Sequence, residues 1–516
     1  MQKLLLTLGL FVCLHVSAQL PEDALRFSRT IPSGTAREQA IGGAMGSLGG
    51  EISSGFVNPA GLGFYKTDEI VVTPGWHFLL NKSSYLDTRT TSSVAQNFNL
   101  GTSGVVFSYP GRNPGVSNAF AIAVNRTADF YNNIHYKGEN AYSSFAEQYA
   151  EEFANSGLSI DNAIGNASVS YGTRMALYSY LIDTATVNGV LQVIAQPQKA
   201  GRVLQDNTLQ TRGGITEIDL SLGSGKHDKF YIGGSLGIPI LNYTRYQTYT
   251  ESDATGNPNN DFDYFTYKET YTTSGWGLNA KLGAIFRPAS AWRIGLAIHT
   301  PNMMGLTDKI SASMITRTEN YTNLQQVSIS SDSLDRLTGV VNANSVNYDL
   351  YTPWKFLLSG SYVFGAGKAD TRQQKGFITA DLEYATTNDA NYRAGDVDNG
   401  VTGNDYYSQV NQAIKASYKG TLAARLGGEM KFHTLMVRAG AAYYTSPYRQ
   451  SDLKGDRLYL SAGAGYRNKG FFLDLAYIMG FSRDINVPYR LSDKLNSYAA
   501  LKEYAGTVVL TAGIKL

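Results

Sequence analysis

The sequence predicts an all-β protein, a transmembrane antiparallel β-barrel of about fourteen strands, and three observations carry that prediction. Apolar and polar side chains alternate with period 2 from Asp68 to the C-terminus. Short and long connections between the alternating runs follow one another in turn. The 516 residues include 53 Gly and 35 Tyr with only 17% charged residues, against about 25% charged in soluble proteins. Gly- and Tyr-rich strands of moderate hydropathy suit a sheet that shows one face to lipid and the other to water.

The two faces separate cleanly along each run. Trp292, Ile294, Leu296 and Ile298 alternate with Arg293, Gly295, Ala297 and His299. Leu422, Ala424, Leu426, Met430 and Phe432 share one face, and Arg425, Gly427, Glu429 and Lys431 the other. The same pattern runs through 230–240, 278–286, 435–443, 458–466 and 508–516. In a soluble sandwich the polar face lies outside, whereas in a membrane barrel it lines the lumen.

Connection lengths decide for the barrel. Strands start near residues 68, 94, 118, 205, 228, 262, 291, 349, 375, 418, 434, 456, 470 and 498, an even number, as single-chain bacterial barrels require. Short connections fall at 110–117, 223–228, 287–291, 365–375, 432–434 and 467–470, and long ones at 135–204, 250–261, 317–348, 389–417, 446–455 and 486–497. Short turns at the periplasmic rim and long loops outside produce that rhythm.

Ahead of the strands, Lys3, an apolar run and Val16-Ser17-Ala18 read as a signal peptide over 1–18, cleaved after Ala18. The single Cys of the chain, Cys13, lies inside it. The mature protein is therefore expected to carry no disulfide and no thiol chemistry. Beyond Ala18 no apolar run approaches the roughly 18 residues of a membrane-spanning helix, and a net charge of +2 gives no field to hold nucleic acid.

Residues 19–66 contain a glycine-rich stretch, Gly42-Gly43, Gly46 and Gly49-Gly50, followed by Asn58-Pro59-Ala60-Gly61-Leu62 just before the first strand. The glycines permit positive φ and tight packing, and Asn58 before Pro59 is held extended with its side chain free to cap local amides. No Gly-Lys-Ser/Thr follows, so this is not a phosphate loop. The stretch resembles the N-terminal plug of FadL-type outer-membrane transporters, and 277–301 and Thr352-Pro353-Trp354 resemble central strands of that family. The resemblance implies a plug over 19–66 inside a barrel over 67–516, in the bacterial outer membrane. It also implies passive uptake of a hydrophobic small molecule such as a long-chain fatty acid, with Asn58, Pro59, Ala60, Gly61 and Leu62 forming the gate. A second use of the fold is a protein-interaction shuttle for a cell-surface secretion and attachment machine. Outer-membrane lipids and the barrel-assembly machinery are the expected partners, and the chain is expected to be a monomer.

Family members open laterally at a kink in the third strand. Here Phe120, Ile122 and Val124 share the lipid face, but Arg126 is next on it, with Asn125 and Asp129 opposite. A charge facing hydrocarbon costs about 2 to 4 kcal/mol at midplane, so either Arg126 lies near the headgroups or the strand kinks inward, and a lateral opening is expected at Asn125, Arg126 and Asp129. Two features depart from the family pattern: the longest loop follows the third strand, and the chain ends in Leu516 rather than an aromatic residue.

Other candidates for ligand contact are Phe145, Tyr149 and Phe153, spaced for one face of a loop helix, with a second helical patch near 175–182. Lys281, Arg293, Arg425 and Arg438 sit on the lumen face with Asp381, Glu383 and Glu429; they either form ion pairs, also with the plug through Arg37 or Glu51, or meet a carboxylate headgroup. No enzyme chemistry, cofactor or metal is expected. Gly233-Gly234-Ser235-Leu236-Gly237 matches a nucleophile elbow in letters only, because Ile232, Leu236, Ile238 and Ile240 continue the alternation through it. The six His are scattered without ligand spacing. Asp396-Val397-Asp398-Asn399-Gly400 places its glycine one position early for a calcium loop.

Overall fold

The computed structural model describes residues 20–111, 114–187, 189–321, 326–340, 345–366, 374–395 and 403–516. Residues 1–18, expected from sequence to be a signal peptide and containing Cys13, and 396–400 lie outside the described residues.

Fourteen antiparallel strands close into a barrel. They are β1 (Glu69–Val72 and Pro74–Tyr85), β2 (Ala95–Leu100 and Ser103–Pro110), β3 (Val116–Asp129 and Asn132–Asn140), β4 (Val203–Lys226), β5 (Phe230–Asp253), β6 (Tyr264–Phe286) and β7 (Trp292–His299 and Met303–Arg317). There follow β8 (Ser345–Tyr351 and Lys355–Phe364), β9 (Gly376–Ala385 and Asn391–Ala394), β10 (Thr421–Phe432), β11 (Leu435–Tyr444), β12 (Arg457–Asn468), β13 (Phe471–Asn486) and β14 (Ala499–Lys515). Each strand pairs with its neighbours in sequence, and β14 returns to β1 through Lys515↔Glu69 and Thr507↔His77. Closure removes the free edges that an open sheet would expose to lipid.

The side-chain period places the alternation as expected. Trp276, Leu282, Leu296, Leu426 and Met430 point outward and are exposed, forming the apolar belt. Lys281, Asp381, Glu429 and Arg438 point inward and are buried. Short turns at 227–229 and 433–434 close one rim, with His227, Asp228 and His433 in the left-handed region.

The third strand runs further than the sequence suggested, because 132–140 continues it and pairs with β4. The longest loop therefore begins after Asn140 rather than at 135. It holds α4 (Glu147–Ser156), α5 (Ile160–Ile164), α6 (Tyr171–Tyr178), a hairpin of Ile182–Val187 and Val190–Ala195, and α7 (Pro197–Ala200), numbered after the N-terminal helices α1 (Pro21–Ser28), α2 (Ala36–Ala40) and α3 (Ser54–Val57). The second helical patch thus lies at 171–178 and ends before Ile182, which begins a strand. With α8 (Ser331–Thr338) these elements form a cap over the outer mouth, while α9 (Gly403–Ser417) packs beside α1. A buried Arg174 joins α6 to α8: its Nε donates to Ile164 O at 2.8 Å and its guanidinium faces Asp335, which also accepts from Tyr171 at 2.6 Å.

Candidate functional site

From outside inward, the lumen holds the cap, an aromatic chamber, a polar cavity and the plug. Each layer follows from which inward residues the strands present at that height.

Phe145, Tyr149 and Phe153 lie in the cap. Phe145 stacks on Tyr249 at 4.2 Å, and Tyr149 and Phe153 join Tyr267, Phe265 and Met314 in one apolar core. All three are buried, so the structure places them in loop packing rather than on an open landing surface.

Below the cap, α1 fills a chamber whose walls are Phe130, Ile215, Leu241, Tyr243, Tyr271, Met304, Leu306, Tyr348 and Leu350. Phe27 lies 5.5 Å from Phe130 and 5.6 Å from Tyr243, ring to ring. A deep carboxylate of the wall, Asp308, accepts from Tyr271 at 2.5 Å, Thr273 at 2.7 Å and Tyr348 at 3.0 Å. Ionic contacts at both ends of α1 hold it in place: Arg29 to Asp484 at 2.6 Å, and Glu22 to Arg490.

Beneath α1 lies a cavity of about 130 Å³ lined by Glu38, Glu217, Lys281, His299, Lys355, Glu383 and Arg425, and reaching Asn125 and Thr127. Ligand pockets of about 300 to 1,000 Å³ hold drug-sized molecules, so this cavity takes waters and no lipid while α1 is seated. Its cations are mostly neutralised. Lys281 pairs with Glu217 and Asp219, and Arg425 pairs with Glu383 at 2.8 Å. His299 is structural, with Nε2 2.9 Å from Val57 O.

The plug forms the floor. Asn58 is extended, as its place before Pro59 requires; its Oδ1 accepts from Ala60 N at 3.2 Å. Its Nδ2 donates to Gly46 O at 2.6 Å and reaches Ala284 O and Leu296 O of the wall at 3.4 and 3.3 Å. Pro59, Ala60, Gly61 and Leu62 form a buried 3-10 turn after it. Gly42, at φ +69°, lies so close to β11 that a Cβ would stand 2.8 Å from Ala441 O. The wall answers with glycines of its own at inward positions. A Cβ at Gly223 would meet Leu62 Cβ at 2.6 Å, and at Gly233, Gly283, Gly295, Gly427 and Gly440 it would collide with plug atoms.

Charges lock the plug sideways. Arg37 bridges Glu51 at 2.8 Å and Glu429 at 3.2 Å, and Glu429 and Asp474 clamp the buried Arg438 at 2.7 and 2.6 Å. Arg293 donates to Leu48 O and lies 4.8 Å over the Phe64 ring. Of the four lumen cations named from sequence, Arg293 and Arg438 therefore belong to the plug seat, and Lys281 and Arg425 to the cavity. Burial would raise the Glu51 carboxyl, but Arg37, Arg467 and Thr35 hold it below its ordinary value. Glu38 behaves oppositely: burial first, then the charge of Glu51, pushes it up to about 8. Its Oε2 has no hydrogen-bond partner among the described residues.

The pairing between β2 and β3 runs from Pro110↔Ser117 to Ser103↔Val124 and stops there. Above it, Ala95–Leu100 pairs with β1 alone. Residues 125–129 pair with β4 alone, and a register shift opposite Ile215 and Thr216 leaves Thr127 unmatched. Side chains bridge the gap: Asp129 accepts from Asn97 at 2.8 Å, from Asn99 at 3.4 Å and from the Tyr131 amide at 2.9 Å. On the lumen side Asn125 donates to Ser33 at 3.1 Å. Arg126 faces outward and donates to Thr216 at 3.2 Å. It stands 10 residues beyond Val116, about 25 Å up a strand tilted by about 40°, which is headgroup height.

Solved structures share this arrangement over nearly their whole length. A FadL homologue from Pseudomonas aeruginosa superposes with a TM-score of 0.54 at 13% identity, covering 94% of this chain and 99% of that one. The toluene transporter TodX of Pseudomonas putida does so with a TM-score of 0.52 at 12% identity and the same coverage. The fold is that of the FadL-type barrels. No protein-family model and no curated protein matches the sequence. Sequence reasoning missed Glu38, Lys355 and the seat glycines of this FadL-type barrel. The glycines carried a signal, since Gly295 and Gly427 fall on the inward parity where a bulkier residue would normally fill the lumen.

Proposed function

We propose that the protein is an outer-membrane channel for passive uptake of hydrophobic small molecules, long-chain fatty acids among them. The observation that supports this reading is the aromatic and aliphatic chamber around α1, which adjoins the pairing gap between β2 and β3. An apolar ligand would enter through the cap, displace α1 from the chamber, and leave sideways through the gap at Asn125, Arg126 and Asp129. Asn58 to Leu62 would keep the axial path shut. No group in this route needs to make or break a covalent bond, so the reading assigns no enzyme activity. Export by a cleaved signal peptide, insertion by the barrel-assembly machinery and a monomeric state belong to the same proposal.

The test is reconstitution in liposomes with a fluorescent fatty acid and, separately, with toluene. Uptake faster than in protein-free vesicles is expected for at least one of them, and mass spectrometry of the purified protein should find retained apolar molecules.

One observation favours a second reading. The cavity below α1 is lined by charged side chains and the chamber is occupied by the protein's own helix, which suits a shuttle that binds secreted proteins at its outer surface. Specific co-purification of secretion-machine components, with no liposome uptake, would decide for it.

A further inference from the structure

We propose that the outward face of β1, β14 and β13 binds the phosphate groups of an outer-leaflet lipid through Lys82, Lys502 and Arg483. The proposal rests on the membrane reading above. Lys82 is directly opposite Lys502 in the β1–β14 ladder, and Arg483 is directly opposite Lys502 in the β13–β14 ladder. Three cations thus stand side by side on adjacent strands, and all three are exposed. With strands about 4.8 Å apart, the row spans about 10 Å.

Such a row is unfavourable on its own, because like charges directly opposite destabilise a sheet. None of the three makes an ion pair among the described residues. Asp456 flanks the row on the β12 side, where its carbonyl accepts from the Arg483 amide at 3.3 Å. One carboxylate cannot neutralise three cations. Arg89, paired with Ser84 one outward step higher, adds a fourth. An anion from outside the protein is the counter-charge that the row lacks.

The height of the row says what carries that anion. One outward step below it, in the same register, lie Leu80, Tyr504 and Phe481, and two steps further Trp76, Val508 and Tyr477. Phe481 packs edge-on against Tyr504 at 6.1 Å, and Lys82 Nζ lies 5.3 Å from the Tyr504 ring. Lys502 stands 12 residues along β14 from Ile514 at the periplasmic rim, about 30 Å up a strand tilted by about 40°. The apolar band of such barrels is about 25 Å tall with aromatic girdles at its edges. The cations therefore sit just beyond the girdle, where lipid phosphates lie, and the apolar strip below them accommodates the acyl chains of the same molecule.

The experiment is native mass spectrometry of the full-length protein in detergent, titrated with phosphatidic acid, with phosphatidylcholine and with inorganic phosphate. Wild type should bind phosphatidic acid at least tenfold more tightly than a Lys82→Gln, Arg483→Gln, Lys502→Gln variant, with phosphatidylcholine binding both equally weakly. Lys502→Gln alone, at the centre of the row, should cost at least threefold and serves if the triple variant does not fold. Removing Lys268 and Lys309, outward on β6 and β7, should change nothing. Equal phosphatidic acid binding by wild type and variant, or an equal loss on removing Lys268 and Lys309, would overturn the proposal. So would displacement of the lipid by equimolar inorganic phosphate, which would make this a free-anion site. Vesicle flotation of wild type separates the two readings: protein that does not float refutes the membrane reading, and protein that floats without lipid preference refutes only this site.

Discussion

Asp129 is the latch of the gap between β2 and β3, and replacing it by alanine should open that gap. The carboxylate accepts three hydrogen bonds, from Asn97, Asn99 and the Tyr131 amide, and the first two are the side-chain bridges between strands that the ladder no longer joins. Hydrogen bonds to charged groups contribute about 1.5 to 3 kcal/mol each. The bond at 3.4 Å falls near the lower limit or below it and the Tyr131 bond stays within β3, so the Asn97 bridge sets the loss across the gap at about 1.5 to 3 kcal/mol. At 1.4 kcal/mol per decade, opening should become about 10- to 100-fold more frequent. Amide hydrogen exchange by mass spectrometry over 125–131 reads this directly, and the neighbouring ladder from Ser117 to Val124 serves as the internal reference. Liposome uptake of the fluorescent fatty acid should rise in the same variant if the gap is the exit. Unchanged exchange at 125–131 in a folded Asp129→Ala protein would refute the latch. Faster exchange without faster uptake would leave the latch in place and move the exit elsewhere.

Further outcomes follow from the same structure. Glu38, raised to about 8 by burial and by Glu51, binds a proton more tightly folded than unfolded, so its contribution to plug stability is fully present below its ordinary value near 4.5 and is lost as pH rises through about 8. Protease protection of the plug should therefore weaken from pH 6 to 9 in wild type and stay flat in Glu38→Gln. Arg438→Leu strips the buried Glu429 and Asp474 of their shared partner and should lower stability by about 3 to 5 kcal/mol, measured as a drop in the barrel's thermal transition. Gly223→Val puts methyls where Leu62 and Gly63 of the plug lie; at about 1 to 3 kcal/mol of overpacking it should raise single-channel conductance in planar bilayers while the barrel stays folded. Phe27→Ala removes the ring that α1 sets between Phe130 and Tyr243, at about 3 to 5 kcal/mol, and should speed fatty-acid uptake by freeing the chamber.

What could be read from the sequence was whatever a short window determines. Period-2 alternation is a property of adjacent residues, so Trp292 to His299 and Leu422 to Phe432 showed both faces without any knowledge of their partners. The strand count followed from the same signal together with turn spacing. The strand ends were harder, because in 132–140 only Ile134 and Tyr136 are large apolar residues, too few to mark the alternation, and its pairing with β4 is what makes it a strand. Asn58 was legible for a related reason, since a residue before proline is restricted by its own neighbour.

What the sequence could not show depends on register around a closed sheet. Lys82 and Lys502 are 420 positions apart, yet closure of β14 on β1 sets them face to face. Asp474, Glu429 and Arg37 come from three separate segments to surround Arg438 with charge. The residues that fill the chamber come from an N-terminal helix whose own sequence, PEDALRFS, is as polar as any surface helix. Its burial is explicable only by the ions it meets at Asp484 and Arg490 and by the aromatic wall around Phe27. The helix is held by ion pairs at its two ends and by the buried Leu25 and Phe27, so an apolar ligand that takes the place of those two side chains against the wall restores the apolar contact that leaving removes. Such an exchange is what the proposed uptake route asks of the helix that occupies the chamber, and it accounts for a largely polar segment lying against an aromatic wall.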